Sequence, residues 1–522
     1  ASVTASRALF ASSPLVVLAP AGDPVTQELA ARAAITLGVP LLVAGESADA
    51  ATGSATPDAT ATPTPDGPAA EITRLGATTA LAIGEVELAG TSSVAPGDSG
   101  DSGDSGDSGH SGDSGLTIER VEATADAVAE ATGVTFDGQT ADDETGFAAG
   151  ISTFEPKRPS RTASPAASAV TPPKPATPLT DTLALAVDAP AGLAPIATAR
   201  AAGVPVHLVP EGSANPQAQA SVIDALAESA TTKTLAIGAA FAAEPALDWK
   251  VRSARSGVQL PGGGQLLFDN HQFVALYGTP STGVLGVLGE QDAAGAVQRA
   301  RDVAAPYAAL TDKTVVPMFE IIATVAAGGP GPDGNYSNEL SVDGLRPWVD
   351  AAAAAGLYVV IDLQPGRTDF LTQAKLYQSL LELPNVGLAL DPEWRLGPDQ
   401  VPLKQIGSVS AAEVNSVTTW LADLTNENGL PQKMLVLHQF RPAMVSDRVS
   451  LDLSRPEIEV LIHADGQGSQ GAKQATWANL HRDAQPGLHW GWKNFYDEDL
   501  PMLTPEQTMG GVSPAPDLVT YQ

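Results

Sequence analysis

Between Gln265 and Gln522, eight short apolar runs alternate with stretches of helical spacing, and few architectures accommodate that beat. The runs are Phe273–Tyr277, Val315–Ile322, Leu357–Leu363, Val386–Asp391, Met434–Gln439, Ile458–His463, Leu488–Trp492 and Leu518–Tyr521. Helical stretches at Ala293–Ala305, Leu345–Ala355, Thr372–Leu381, Ala411–Asn426 and Gln470–His481 separate most of them. Strands without polar alternation are buried on both faces, as in a parallel sheet covered by helices. Eight such units in about 250 residues is the period of a closed TIM (β/α)8 barrel. An open doubly wound sheet is the alternative, and eight strands in one alternation favour closure. All seven Tyr and six of the seven Trp lie beyond Gln265, the exception being Trp249. Trp348, Trp420 and Trp477 fall in helical stretches and are expected to pack between helix and barrel.

Strand parity then sorts the side chains, because alternate residues of a barrel stave face the interior or the helical shell. In the fourth run, Val386, Leu388 and Leu390 turn outward, leaving Gly387, Ala389, Asp391 and, just past the end, Glu393 inward. In the third, Leu357, Val359 and Ile361 face out, with Tyr358, Val360, Asp362 and Gln364 inward. In the sixth, Ile458, Val460 and Ile462 face out, with Leu461, His463 and Asp465 inward. Val316, Met318 and Glu320 share one face of the second. Each acidic residue falls late in its strand, at the end where barrels carry their chemistry.

Carboxylates crowded at a barrel mouth repel one another, so at least one holds its proton above the ordinary range. Cleavage of a glycosidic bond needs one acid for the leaving oxygen and one carboxylate as base or nucleophile. Asp391-Pro392-Glu393 places two carboxyls on the same side, roughly 6–7 Å apart along the strand. This D-x-E resembles the strand-four element of barrel glycosidases, including lysozyme-like muramidases and chitinase-like enzymes; the chitinase run of earlier aspartates is missing. The resemblance implies Glu393 as general acid and Asp391 as orienting carboxylate or base. Asp362 and Glu320 are candidates for the water-activating base or for hydroxyl recognition. His463 and Asp465 are candidates for sugar hydroxyls or for positioning a carboxylate. Tyr277, Trp394, Trp490 and Trp492 are read as stacking platforms for a sugar ring, and Gln364, Arg367, His438, Gln439 and Arg441 as a polar mouth. For each of these acids a structural role, as helix cap, turn former or buried ion-pair partner, is the rival reading.

The N-terminal half has a different rhythm. Leu15–Pro20, a helix from Thr26 to Leu37, Pro40–Ala44, Ile72 to Gly76 and Thr79–Gly84 follow in order. Leu183–Val187, a helix from Ala191 to Ala202, Val204–Val209, a helix from Ala218 to Ser229 and Thr234–Gly238 repeat that order. Both copies end on Leu-Ala-Ile-Gly, which indicates duplication. Gly38-Val39-Pro40-Leu41-Leu42, Arg74-Leu75-Gly76-Ala77 and Ala82-Ile83-Gly84 resemble the type 2 cell wall-binding repeats of high-GC and other Gram-positive surface proteins. The second copy keeps Gly203-Val204-Pro205 and Ala236-Ile237-Gly238 but lacks the Arg-Leu-Gly element, and family proteins usually carry three copies. The resulting division is a first repeat over 1–156 with an Asp-Ser-Gly triplet insert at 97–115, a Pro/Ser/Thr-rich linker over 157–180, a second repeat over 181–262 and the barrel over 265–522. The insert and linker read as solvated spacers.

Composition closes off other classes. With 28 basic against 60 acidic side chains, the formal charge of −32 opposes binding to nucleic acid or to an anionic membrane surface. The absence of Cys excludes disulfides and thiolate-held metals. No segment is long enough to cross a bilayer as an apolar helix. Neither Gly-x-Gly-x-x-Gly after a first strand, nor a phosphate-cradling loop, nor a Gly-x-Ser-x-Gly elbow is present. His438, His463, Asp362, Asp391 and Asp465 lack His-x-His or His-Glu-x-x-His spacing, so no metal and no cofactor is expected. A start at Ala1 fits a processed, secreted or envelope-associated protein. The sequence thus points to an α/β protein, a duplicated parallel-sheet region followed by a TIM barrel. The barrel is expected to act as a glycoside hydrolase on a polysaccharide or cell-wall glycan; the alternative is a non-catalytic surface protein binding a wall or host polymer.

Overall fold

The computed structural model describes residues 1–45, 67–88, 115–133, 146–156, 170, 173–174, 177–210, 212, 214–280 and 282–522. The triplet insert, up to residue 114, and most of the Pro/Ser/Thr-rich linker lie outside the described residues. The chain forms two compact units, one of residues 1–216 and 228–244, the other of 217–227 and 245–522.

In the first unit, four parallel strands, β1 (Leu15–Pro20), β2 (Leu41–Ala44), β3 (Thr79–Ile83) and β4 (Thr117–Val121), take the order β2-β1-β3-β4. A second parallel sheet, of β5 (Thr182–Val187), β6 (Val206–Val209) and β7 (Lys233–Ile237), has the order β6-β5-β7. The central strand β1 is apolar from Leu15 to Pro20 and β5 from Leu183 to Val187, and both are buried along most of their length, as strands at the middle of a parallel sheet are. Helix Pro24–Leu37 begins at Asp23, whose carboxylate accepts from Thr26 N at 3.0 Å. It ends at Gly38, where φ of 69° demands a residue without Cβ strain. It packs on helix Leu193–Ala201, whose Thr198 hydroxyl accepts from Leu41 N at 3.2 Å. Strand β4 and helices Ser2–Leu9 and Ala125–Thr132 are additional to the expected elements.

The second unit is built on β8 (His271–Gly278), β9 (Thr314–Ala326), β10 (Ser337–Glu339), β11 (Tyr358–Leu363), β12 (Val386–Leu390), β13 (Val409–Ser410), β14 (Lys433–Gln439), β15 (Val445–Ser446), β16 (Ile458–Ala464), β17 (His489–Asn494) and β18 (Leu518–Tyr521). Eight of these run parallel in the order β8-β9-β11-β12-β14-β16-β17-β18, and β18 pairs back onto β8, closing the barrel at Leu518 opposite Phe273. Strand β10 returns antiparallel on the overlong β9, and β13 pairs with β15 outside the barrel. Every expected run is a stave, and the expected helices lie between them.

Two apolar layers follow the parity of the staves. Val386, Leu388, Leu390, Leu357, Val359 and Ile361 join the cluster between barrel and helices, with Trp477 buried in it and Trp348 and Trp420 packed against it. Phe273, Met318, Tyr358, Val360, Ala389 and Leu461 fill the barrel interior. Packing there is tight enough that a Cβ on Gly387 would stand 2.6 Å from the Met434 carbonyl oxygen. Residues 245–262 pack with the barrel unit: the Trp249 indole donates to Leu430 O at 3.1 Å, and Ser253 Oγ to Gln265 Oε1 at 3.0 Å. Among the described residues no helix is long and apolar enough to cross a membrane.

Candidate active site

Toward the C-terminal end of the staves the apolar filling gives way to a polar layer, to which every stave contributes. The contributors are Tyr277 from β8, Glu320 from β9, Asp362 from β11, Asp391 just after β12, His438 from β14, His463 from β16 with Asp465 just beyond it, Lys493 from β17 and Thr520 from β18. Parallel pairing in register explains the convergence: His438 lies opposite His463, Tyr277 opposite Glu320, and Lys493 opposite Thr520. Space for the His463 ring exists because its neighbour on β17 is Gly491, where a Cβ would sit 2.7 Å from His463 Cδ2.

Hydrogen bonds and charge contacts link most of this layer. His438 bridges two acids, with Nε2 2.6 Å from Glu320 Oε1 and Nδ1 2.9 Å from Asp465 Oδ2. Lys493 Nζ lies 3.1 Å from Asp465 Oδ1 and 3.6 Å from the centre of the Tyr277 ring. The Tyr277 hydroxyl donates to Asp362 Oδ2 at 2.8 Å. Thr520 Oγ1 is 2.8 Å from His463 Nε2 and 3.4 Å from Glu320 Oε2. Just beyond this ring, Lys473 is taken up by Asp499 at 2.8 Å.

Burial sets the electrostatics. It raises the pKa of Asp362 to about 6 and that of Asp391 well above the usual range, aided at Asp391 by repulsion from Asp362, Asp465 and Glu393. Burial also pushes Asp465 upward, but Lys493 and His438 outweigh it and hold this carboxyl below the usual range. At Glu320 the two imidazoles likewise overcome burial and lower the pKa. His438, despite its burial, is raised by Glu320 and Asp465, whereas burial depresses His463 to about 3. Glu393 is raised, first by burial and then by the charge of Asp465.

Glu320, Asp362, His438, His463 and Thr520 are wholly inaccessible, and Asp391 and Lys493 nearly so. The Asp465 side chain is 11 % exposed and Glu393 is half-buried. Glu393 sits on the 3-10 turn Pro392–Trp394, which Asp391 caps by accepting from Glu393 N at 3.1 Å. The Glu393 carbonyl accepts from Gly407 N at 2.7 Å, and a Cβ at Gly407 would stand within 2.6 Å of the backbone oxygens of Pro392, Glu393 and Arg395. Trp394 is half-buried on the same turn, and Arg441 is exposed, near enough for its charge to act on Glu393.

Other expected site residues are placed elsewhere. Trp490 and Trp492 are not stacking platforms: both alternate onto the outer face of β17 and are buried against Trp477, with centroids 5.9 and 5.7 Å away. Nor is Tyr277 a platform, since one face of its ring carries the Lys493 ammonium. Gln364 stitches β9 to its neighbour through Ala326 N, at 3.0 Å. Gln439 is wholly buried between Pro442 O and the Arg448 guanidinium, at 3.0 Å from each. Arg367 donates to Gln400 O and covers the Tyr336 ring. Lys493 and Thr520 are network members that the sequence reading did not single out. Parity along His489-Trp490-Gly491-Trp492-Lys493 carries the signal for the lysine, opposite in face to both tryptophans.

Chemically, the arrangement offers a buried ring of acids and imidazoles with two carboxyls, Glu393 and Asp465, reaching toward solvent. No family model matches this chain, and no curated protein matches it.

Proposed function

We propose that the C-terminal end of the barrel hydrolyses a glycosidic bond in a polysaccharide. The observation that carries this reading is the contrast between Glu393 and Asp465. Asp465 is clamped as a carboxylate by Lys493 at 3.1 Å and His438 at 2.9 Å. Glu393 has no ion pair among the described residues, and burial beside that carboxylate favours its protonated form. Two carboxyl groups pushed in opposite directions make an acid and a base at one mouth. Glu393 then protonates the leaving oxygen, and Asp465, in place of the sealed Asp362 and Glu320, serves as base or nucleophile. Asp391 orients the turn that carries Glu393. Trp394 and Arg441 supply an apolar face and a hydroxyl-binding cation for the sugar.

For the first unit we keep the reading of a duplicated, wall-binding region in an exported envelope protein. Its support is the like order of β2-β1-β3 and β6-β5-β7 and the quoted resemblance. The experiment is incubation of the full-length protein with purified Gram-positive wall glycans, scoring new reducing ends and product masses. Wild type is expected to release oligosaccharides and Asp465→Asn to release none. Retention on the glycans with no release by wild type would leave a non-catalytic binding protein instead.

A further inference from the structure

We propose that Glu320, His438 and His463 bind a divalent transition-metal ion inside the barrel, zinc by their donor set. The proposal goes beyond the hydrolytic reading and does not rest on it. One ligand atom from each of the three residues lies within 4.8 Å of the other two, and all three side chains are buried. His463 Nδ1 is wholly buried, has no hydrogen-bond partner, and stands 3.8 Å from Glu320 Oε2. A bare imidazole nitrogen in that position is costly to leave unmet. Asp362 Oδ1 is a second buried atom without a partner, in the same layer.

The outer nitrogens are already arranged as metal-bound imidazoles require. His438 Nδ1 is 2.9 Å from Asp465 and His463 Nε2 is 2.8 Å from Thr520, so each ring is oriented from behind by an oxygen while its other nitrogen turns toward Glu320. Charge points the same way. Glu320, Asp362, Asp391 and Asp465 share this layer, and among the described residues Lys493 is the lysine paired with it, since Lys473 is paired with Asp499. Two imidazoles and one carboxylate form a three-ligand zinc set with a fourth position open, whereas calcium and magnesium take oxygen ligands. Ligand atoms around a tetrahedral zinc stand about 3.3 Å apart. The His438–Glu320 contact at 2.6 Å therefore opens and the His463–Glu320 gap at 3.8 Å closes, both by side-chain rotation.

The test uses full-length protein stripped with EDTA, equilibrated with Zn2+, desalted and assayed for metal by mass spectrometry. Wild type is expected to retain one more equivalent than His463→Ala, with circular dichroism matching between the two. Co2+ in the wild-type site is expected to give the intense visible absorption of a four- or five-coordinate ion. If His463→Ala fails to fold, Thr520→Val replaces it, and its zinc affinity is expected to fall about tenfold. Equal zinc in wild type and His463→Ala, a Co2+ spectrum of the aqueous ion only, or an unchanged affinity in Thr520→Val would overturn the proposal. Glycan hydrolysis is not read in this experiment, so its outcome is independent of the proposed activity.

Discussion

Removing the Lys493 ammonium tests whether the polar layer is an electrostatic unit. In Lys493→Met the contact to Asp465 Oδ1 at 3.1 Å and the cation over the Tyr277 ring at 3.6 Å both disappear, while most of the side-chain volume remains. Breaking one side of a buried ion pair costs about 3–5 kcal/mol, because the abandoned charge stays desolvated. Asp465 keeps His438 and is 11 % exposed, which moves the expectation to the lower end, about 3 kcal/mol. With a guanidinium m-value of about 5 kcal/mol/M, that loss lowers the unfolding midpoint by about 0.6 M. All seven tryptophans belong to the barrel unit, so intrinsic fluorescence in chelator-containing buffer follows the barrel alone. In Lys493→Met/Asp465→Asn the unpaired charge is gone, and at least half of the loss is expected to return. A single-variant loss below about 1 kcal/mol, or full additivity in the double variant, would refute the reasoning.

Other consequences are open to simpler measurements. His489, between Asp517 at 3.1 Å and Glu459 at 3.5 Å, has its pKa raised to about 9 because these carboxylates outweigh its burial. Its contribution is complete below about pH 6.5 and is lost as pH rises through 9, so wild-type stability should fall by about 2 kcal/mol over that window; a His489→Gln variant with the same slope would contradict this. Gly491→Ala drives a methyl group to within 2.7 Å of His463 Cδ2 and 3.0 Å of Leu461 Cδ2. It should cost about 1–3 kcal/mol in chemical unfolding, and a neutral result would mean that the interior is looser than described.

The staves were legible because strands buried on both faces carry a density of apolar residues that nothing else in a soluble chain needs. Parity then separated Asp362, His463 and Glu320 from the shell-facing Val359, Val460 and Ile462. Trp490 and Trp492 suggest sugar stacking by residue type, yet their alternation with Gly491 and Lys493 sends them outward against Trp477. The same alternation places Lys493 inward, whereas a lone threonine late in a strand, as at Thr520, signals nothing until seven other staves close around it. Strand β4 gives no such signal, since Thr117–Val121 carries a half-buried Glu119 and an exposed Arg120 and lacks an apolar run. Glu320, His438 and His463 come one from each of three staves, so no local sequence spacing joins them.

Turnover by Glu393→Gln, against wild type, on the wall glycans that the proposal names as substrate bears most directly on the proposed chemistry. Removing the proton donor while preserving shape should lower kcat by about 10²–10⁴-fold with the unfolding midpoint unchanged. A folded Glu393→Gln protein that cleaves at the wild-type rate would contradict it.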